Sequence, residues 1–326
     1  MLSVNIGKVD LNLPELDNKI RNNIPFGIEV NKKPAINTEI NHDVLDKMCK
    51  RIGVNPDYAL CSIGTLGSGN HFIEVSKSQN TDEIWITIHS GSRNFGKRVC
   101  DYWQKVANDD INIPKKDFFT EEVKRIRTLY RGSEIDGKVK ELKAKLFMNN
   151  VPNDMSFLQG QHAKDYLNDM YVVNSYAKLN RFVILSKIVE MLNATVQQEI
   201  ETVHNFIDKD DIIRKGAIRS YKGELMIIPM NMRDGILLCE GKSNPDWNFS
   251  APHGAGRVLG RAQAKKLLDL DKFKADMDGI YSTSIGETTL DEAPDAYKNS
   301  KLIEEAIGPT ATIIDRLIPI MNLKDN

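Results

Sequence analysis

Apolar and polar positions alternate along this chain with two different periods. Residues 72–76 and 83–89 are short, β-branched and bounded by polar turns, which predicts two strands with His71 and His89 at their ends. At 115–148 and again at 163–203 the apolar positions recur every three or four residues, as in Tyr166, Met170, Val173 and Ala177, and predict helices. The second helix would deliver His204 at its C-terminal end. Alternation then returns, predicting strands at 212–218, 225–228 and 236–239. After a loop rich in Ser, Asn, Pro and Gly that carries His253, further helices are predicted at 258–268 and 301–321. No repeat, low-complexity stretch or linker interrupts this order. The expected fold class is α+β, one domain over 1–326 with mixed β-sheets and long flanking helices.

Four of the six histidines sit in segments that pattern alone does not explain. Gly64-Thr65-Leu66-Gly67-Ser68-Gly69-Asn70-His71 offers glycines for a tight turn or for backbone approach to a phosphate, and Phe72-Ile73-Glu74 adds a carboxylate. His89-Ser90-Gly91-Ser92-Arg93 pairs an accessible ring with a guanidinium fork suited to phosphate, or else marks a capped helix start. His204-Asn205, read alone, is a helix-end cap. His253 is the sharpest signal: Pro252 stiffens the approach, Gly254, Ala255 and Gly256 remove bulk, and Arg257 follows. Such a ring has room to attack phosphorus. His42 and His162 lack this context and are expected at the surface.

Composition narrows the choices. The 326 residues are 41% hydrophobic, enough for a sizeable core, and carry a net charge of −1, so phosphate binding must rest on local clusters. Three candidates follow the motifs: Arg93, Lys97 and Arg98; Arg214, Lys215, Arg219 and Lys222; Arg257, Arg261, Lys265 and Lys266. The four cysteines form no CxxC pair, which argues against a disulfide framework and fits a reducing cytoplasm. No signal-peptide core or membrane-spanning apolar run is visible.

These motifs, in this order and with Arg214-Lys215-Gly216-Ala217 between them, resemble the RtcB family of RNA ligases. The match continues through Ala296-Tyr297-Lys298 to Lys324. The resemblance implies a GTP- and manganese-dependent ligase that joins RNA 3′-phosphate or 2′,3′-cyclic phosphate ends to 5′-hydroxyl ends, in RNA repair or splicing. It implies that His253 carries GMP covalently, and that His71, His89 and His204 ligate metal. Asn70, His71, Phe72, Glu74, His204, Asn205, Pro229, Met230, Asn231, Met232, His253, Gly254, Ala255, Gly256 and Lys324 would surround the nucleotide. Arg93 and Arg257 would contact RNA.

Two departures qualify this. Family members carry an upstream Asp-x-Gly-Cys-Gly-Met segment that completes the metal site, and Met1 reads as its last residue. An incomplete chain, a separately encoded N-terminal piece, or a non-catalytic remnant that binds RNA ends or nucleotide are the alternatives; an activating protein is a further expected partner. None of the cysteines is an obvious replacement ligand, Cys61 reading as a small core residue. The second departure is Pro229-Met230-Asn231-Met232-Arg233-Asp234-Gly235, where described members have Pro-Gly-Ser-Met-Gly; Ile236 also stands where serine is common.

Overall fold

The structure is a computed structural model and describes residues 1–36, 41–147 and 151–325. Its elements run β1 (Leu2–Asn5), α1 (Leu13–Asn23), α2 (His42–Ile52), α3 (Pro56–Cys61), β2 (Phe72–Ser78), β3 (Ile84–His89), α4 (Arg93–Leu129), α5 (Ser133–Phe147), α6 (Gly160–Met191) and β4 (Gln198–Glu201). They continue with β5 (His204–Ile207), β6 (Ile213–Arg219), β7 (Leu225–Pro229), β8 (Ile236–Gly241), β9 (Ser250–Pro252), α7 (Arg261–Leu267), α8 (Leu270–Asp276), α9 (Ser300–Ile307) and β10 (Ala311–Leu323). The expected α+β class is found, with every strand pair in the two sheets antiparallel.

Seven strands form one sheet in the order β4-β1-β3-β2-β10-β8-β7, and β5-β6-β9 form a second. Because side chains alternate across a strand, Ile84, Ile86 and Ile88 leave β3 on one face. There they join Ile73, Val75, Ile184 and Ile188 in a core with α1 and α6. Trp85 leaves on the other face and packs with Phe72, Ile227, Leu238 and Leu317. The sheet curls round this inner face until its outer strands approach, and the Ile227 N–H donates to Thr202 Oγ1 at 3.2 Å.

That inner face is polar where it opens. Register places Phe72 opposite His89, Glu74 opposite Thr87, and Asn322 opposite Glu74. Ser3 joins Thr87 through hydroxyls 2.7 Å apart. Strand β1 was not anticipated, since its alternate residues Ser3 and Asn5 look solvent-facing in sequence yet are buried.

Three helix expectations need correction. The helix expected over 163–203 ends at Met191, where Asn193 takes a left-handed φ of 48° and breaks the ladder. His204 therefore opens strand β5 and does not end a helix. The segment 301–321 splits at Gly308-Pro309, because proline cannot continue the hydrogen-bond ladder, into α9 and the 13-residue strand β10. The segment 115–148 is the end of α4, a break with Gly132 at φ 58°, and α5; residue 148 lies outside the described residues. Helix α4 starts 22 residues earlier than expected and runs through Pro114. Among the described residues no helix is long and apolar enough to cross a membrane.

Candidate functional site

Four histidines from distant segments form a row. Ring centroids are 5.9 Å apart from His71 to His89, 5.6 Å from His89 to His204 and 5.0 Å from His204 to His253. His71 precedes β2, His89 ends β3, His204 opens β5 and His253 follows β9, so both sheets contribute. His42 is exposed, and His162 pairs with Asp110 at 2.7 Å on the surface.

Burial is the first cause of low basicity in this row, before the neighbouring positive charges. It pulls His71 down to about 4, His204 down to about 3, and His89 well below its ordinary value. All three are neutral imidazoles near pH 7, the donor chemistry that suits a borderline divalent ion. His71 Nδ1 is buried against the turn at Leu66 and Gly67. Yet among the described residues no group of three or more His, Cys, Asp or Glu side chains stands in an arrangement able to hold a metal ion. The donors fit the expected ion in kind; a formed coordination sphere is absent.

His253 is held differently. Its Nδ1 lies 2.7 Å from the Gly216 carbonyl oxygen, which can only accept. Nδ1 therefore carries a proton, and the tautomer this selects has its lone pair on Nε2. Gly216 has φ 67°, and its N–H donates to Asn205 Oδ1 at 2.9 Å. The following loop is docked on the β7 end: Ala255 N–H donates to the Pro229 carbonyl at 3.0 Å, and a Cβ on Gly254 would stand 2.9 Å from that oxygen.

Two adjoining cavities, about 150 and 440 Å³, share Asn70 and His89 in their walls. Phe72, Glu74, the stretch from Pro229 to Met232, His253 to Gly256, Arg257 and Lys324 line the first. His71, His204, Asn205 and the exposed Cys100 line the second. The expected nucleotide and metal residues thus gather in one place.

Four more residues line the first cavity: Arg261, named above only in a basic cluster, Tyr297, named only within a motif, and Glu292 and Asn322, which sequence reasoning missed. Glu292 is their hub, taking Lys324 Nζ at 2.9 Å, Tyr297 Oη at 2.7 Å, Arg261 at 2.5 Å and Arg257 at 3.3 Å. Nothing in its segment, Leu290-Asp291-Glu292-Ala293, marks it, and Asn322 lay just past a segment expected as a helix. Glu74 is pushed up to about 7 by burial, while Ser76 and Asn322 donate to its two oxygens at 2.7 and 2.8 Å.

Several basic residues expected at phosphates are bound internally. Arg93 lines neither cavity; it donates from Nε to Thr65 Oγ1 at 2.9 Å and from Nη2 to the Gly27 carbonyl at 2.5 Å. Arg214 is buried in an ion pair with Asp208, and Lys97, Arg219 and Lys265 pair with Asp101, Glu224 and Asp291. The glycines before His71 have a similar explanation. A Cβ on Gly67 would overlap Arg93 and His71, and one on Gly64 would meet Val183 at 2.6 Å.

The divergent loop is a tight connection between β7 and β8. Asn231 Oδ1 accepts from the N–H groups of Arg233 and Asp234 at 3.0 and 2.9 Å. Met230 and Met232 are buried, the latter against Phe273 and Met277. These apolar contacts fix the loop in place of glycine freedom.

Known proteins resemble the chain over most of its length. The family model described as tRNA-splicing ligase RtcB matches residues 57–325. The RNA-splicing ligase RtcB of Escherichia coli (strain K12) is 28% identical over 291 residues, covering 80% of this chain and 61% of the relative. The tRNA-splicing ligase RtcB of Archaeoglobus fulgidus is 25% identical over 314 residues, covering 79% and 58%. That of Aeropyrum pernix is 23% identical over 378 residues, covering 96% and 71%. The chain thus spans about 60% of the length of the first two relatives. With the family model covering most of its length, the chain belongs to the RtcB family.

Proposed function

We propose that the chain carries the catalytic centre of an RNA ligase joining 3′-phosphate ends to 5′-hydroxyl ends through a histidine-GMP intermediate. The observation that carries this reading is the Gly216 carbonyl bound to His253 Nδ1, which leaves Nε2 as nucleophile beside the first cavity. Nε2 attacks the α-phosphorus of GTP; the phosphorus–nitrogen bond forms as the bond to the β-phosphate bridging oxygen breaks, and pyrophosphate leaves. GMP then passes from Nε2 to the RNA 3′-phosphate. The 5′-hydroxyl attacks that phosphorus, GMP departs, and the hydroxyl proton is released. A cyclic end must first be opened by water.

Lys324, Glu74, Asn70 and the two loops at 229–232 and 253–256 would hold GMP, and Arg257 would meet the RNA end. His71, His89 and His204 would hold manganese, which when bound would neutralise phosphate charge and align in-line attack. The rival reading is a binder without ligation, favoured in that no preformed metal-ligand group stands among the described residues. Incubation with Mn²⁺ and α-labelled GTP, beside His253→Ala, separates them. Label on the native chain alone supports the ligase reading. No label on the native chain, nor on one given a family-like N-terminal extension, supports the binder.

A further inference from the structure

We infer that Asn205 is a positioning residue that sets the reactive tautomer of His253 through the backbone of Gly216. This role presupposes that His253 is the nucleophile proposed above. Across the β5–β6 pair, His204 opposes Ile218 and Phe206 opposes Arg214, so Asn205 alone faces the three residues from Lys215 to Ala217. Such an irregularity leaves backbone groups without ladder partners. Two left-handed residues resolve it, Asn205 at φ 63° and Gly216 at φ 67°. Asparagine is among the few non-glycine residues that accept this conformation at small cost, and here its side chain also takes the spare Gly216 N–H at 2.9 Å.

One residue thus links two hydrogen bonds, through its N–H in the 215–216 peptide and its carbonyl in the 216–217 peptide. Holding the Gly216 N–H orients the residue whose carbonyl accepts from His253 Nδ1 at 2.7 Å. Without the Asn205 acceptor, the bulged segment loses the bond that fixes its direction, and the ring is free to carry its proton on either nitrogen. A ring protonated on Nε2 has no lone pair there to attack phosphorus. The bond to Gly216 uses only the Asn205 Oδ1 and not its Nδ2 donors, so nucleotide contact and positioning are compatible.

The test uses ¹⁵N-histidine-labelled protein, full chain and metal-free, at a pH where the rings are neutral. The His253 signals are assigned by their loss in His253→Gln. Asn205→Gly keeps the left-handed backbone and removes the acceptor, whereas Asn205→Asp keeps an acceptor. Native protein should show Nδ1 protonated and Nε2 bare. Asn205→Gly should move both His253 shifts toward the other tautomer, with Asn205→Asp near native, while His162 signals stay put as a sign of intact fold. The rate of His253 labelling by GTP should fall about tenfold or more in Asn205→Gly, the scale of lost orienting partners. Native His253 shifts in Asn205→Gly would overturn the inference. A native chain that fails to label, with the tautomer change still seen, would sink the nucleophile reading and leave the positioning effect standing.

Discussion

Lys324 Nζ and Glu292 Oε2 lie 2.9 Å apart, with each side chain only 3% exposed. Breaking a buried pair from one side strands a charge in low dielectric. Glu292→Gln should therefore cost about 3–5 kcal/mol, read by denaturant unfolding. Lys324→Met should cost less, because Arg261 and Arg257 still face Glu292. Equal losses in the two variants would contradict the hub role of Glu292.

The buried titrating groups predict a pH dependence with opposing parts. Folding lowers His71 to about 4 and His204 to about 3, so between those values and 6.5 the unfolded chain binds more protons. Their contribution to the stability of the metal-free protein should rise as pH climbs through that window. Glu74 acts oppositely: folding raises it from 4.5 to about 7, so its contribution is present at acid pH and lost as pH rises from 4.5 to 7. Unfolding free energies of Glu74→Gln relative to native should accordingly improve by about 3 kcal/mol across that interval. A pH-independent difference would refute the assignment.

Gly67→Ala and Gly69→Ala form a controlled pair. Both positions have positive φ, 90° and 74°, so both variants carry backbone strain of about 1 kcal/mol. At Gly69 the nearest atom to a new Cβ is 3.8 Å away on Arg261, but at Gly67 it would overlap Arg93 and His71. Thermal melts should show Gly67→Ala distinctly less stable.

Arg93 is expected to behave as a structural residue. Arg93→Ala should lower the melting temperature through loss of the Thr65 and Gly27 bonds. Arg93→Lys should not restore it, because an ammonium cannot span both acceptors. RNA affinity of the folded variant, followed against salt, should keep the native slope. A slope reduced by about one would return Arg93 to the phosphate contacts.

Three histidines of the row were legible as candidates because their context is local: His71, His89 and His253 stand beside glycines and other small residues, whereas His204, between Val203 and Asn205, read alone as a helix-end cap. The elements carrying the row were less legible. His204 looked like a helix end because the apolar spacing of α6 runs on into the alternation of β4, and only the φ of Asn193 marks the join. Strand β10 was hidden for a related reason, since apolar residues such as Ile313, Ile314 and Leu317 also satisfy a helical period. Glu292 and Asn322 stayed unseen because their roles come from partners over 30 and over 240 positions away. Charge clusters were less informative: Arg214 is buried in a pair with Asp208, six positions earlier, which its count among basic residues does not reveal.

Strand β10 lies between β2 and β8, and β2 pairs with it across some 240 residues of chain. A ribosome that has translated as far as His253 has therefore made every histidine of the row and still has no floor beneath it. Such distant pairing is slow, because the loop must close before its contacts repay the cost. Under the proposed function, reactivity toward nucleotide should appear late in synthesis, in one step with the arrival of the final strand.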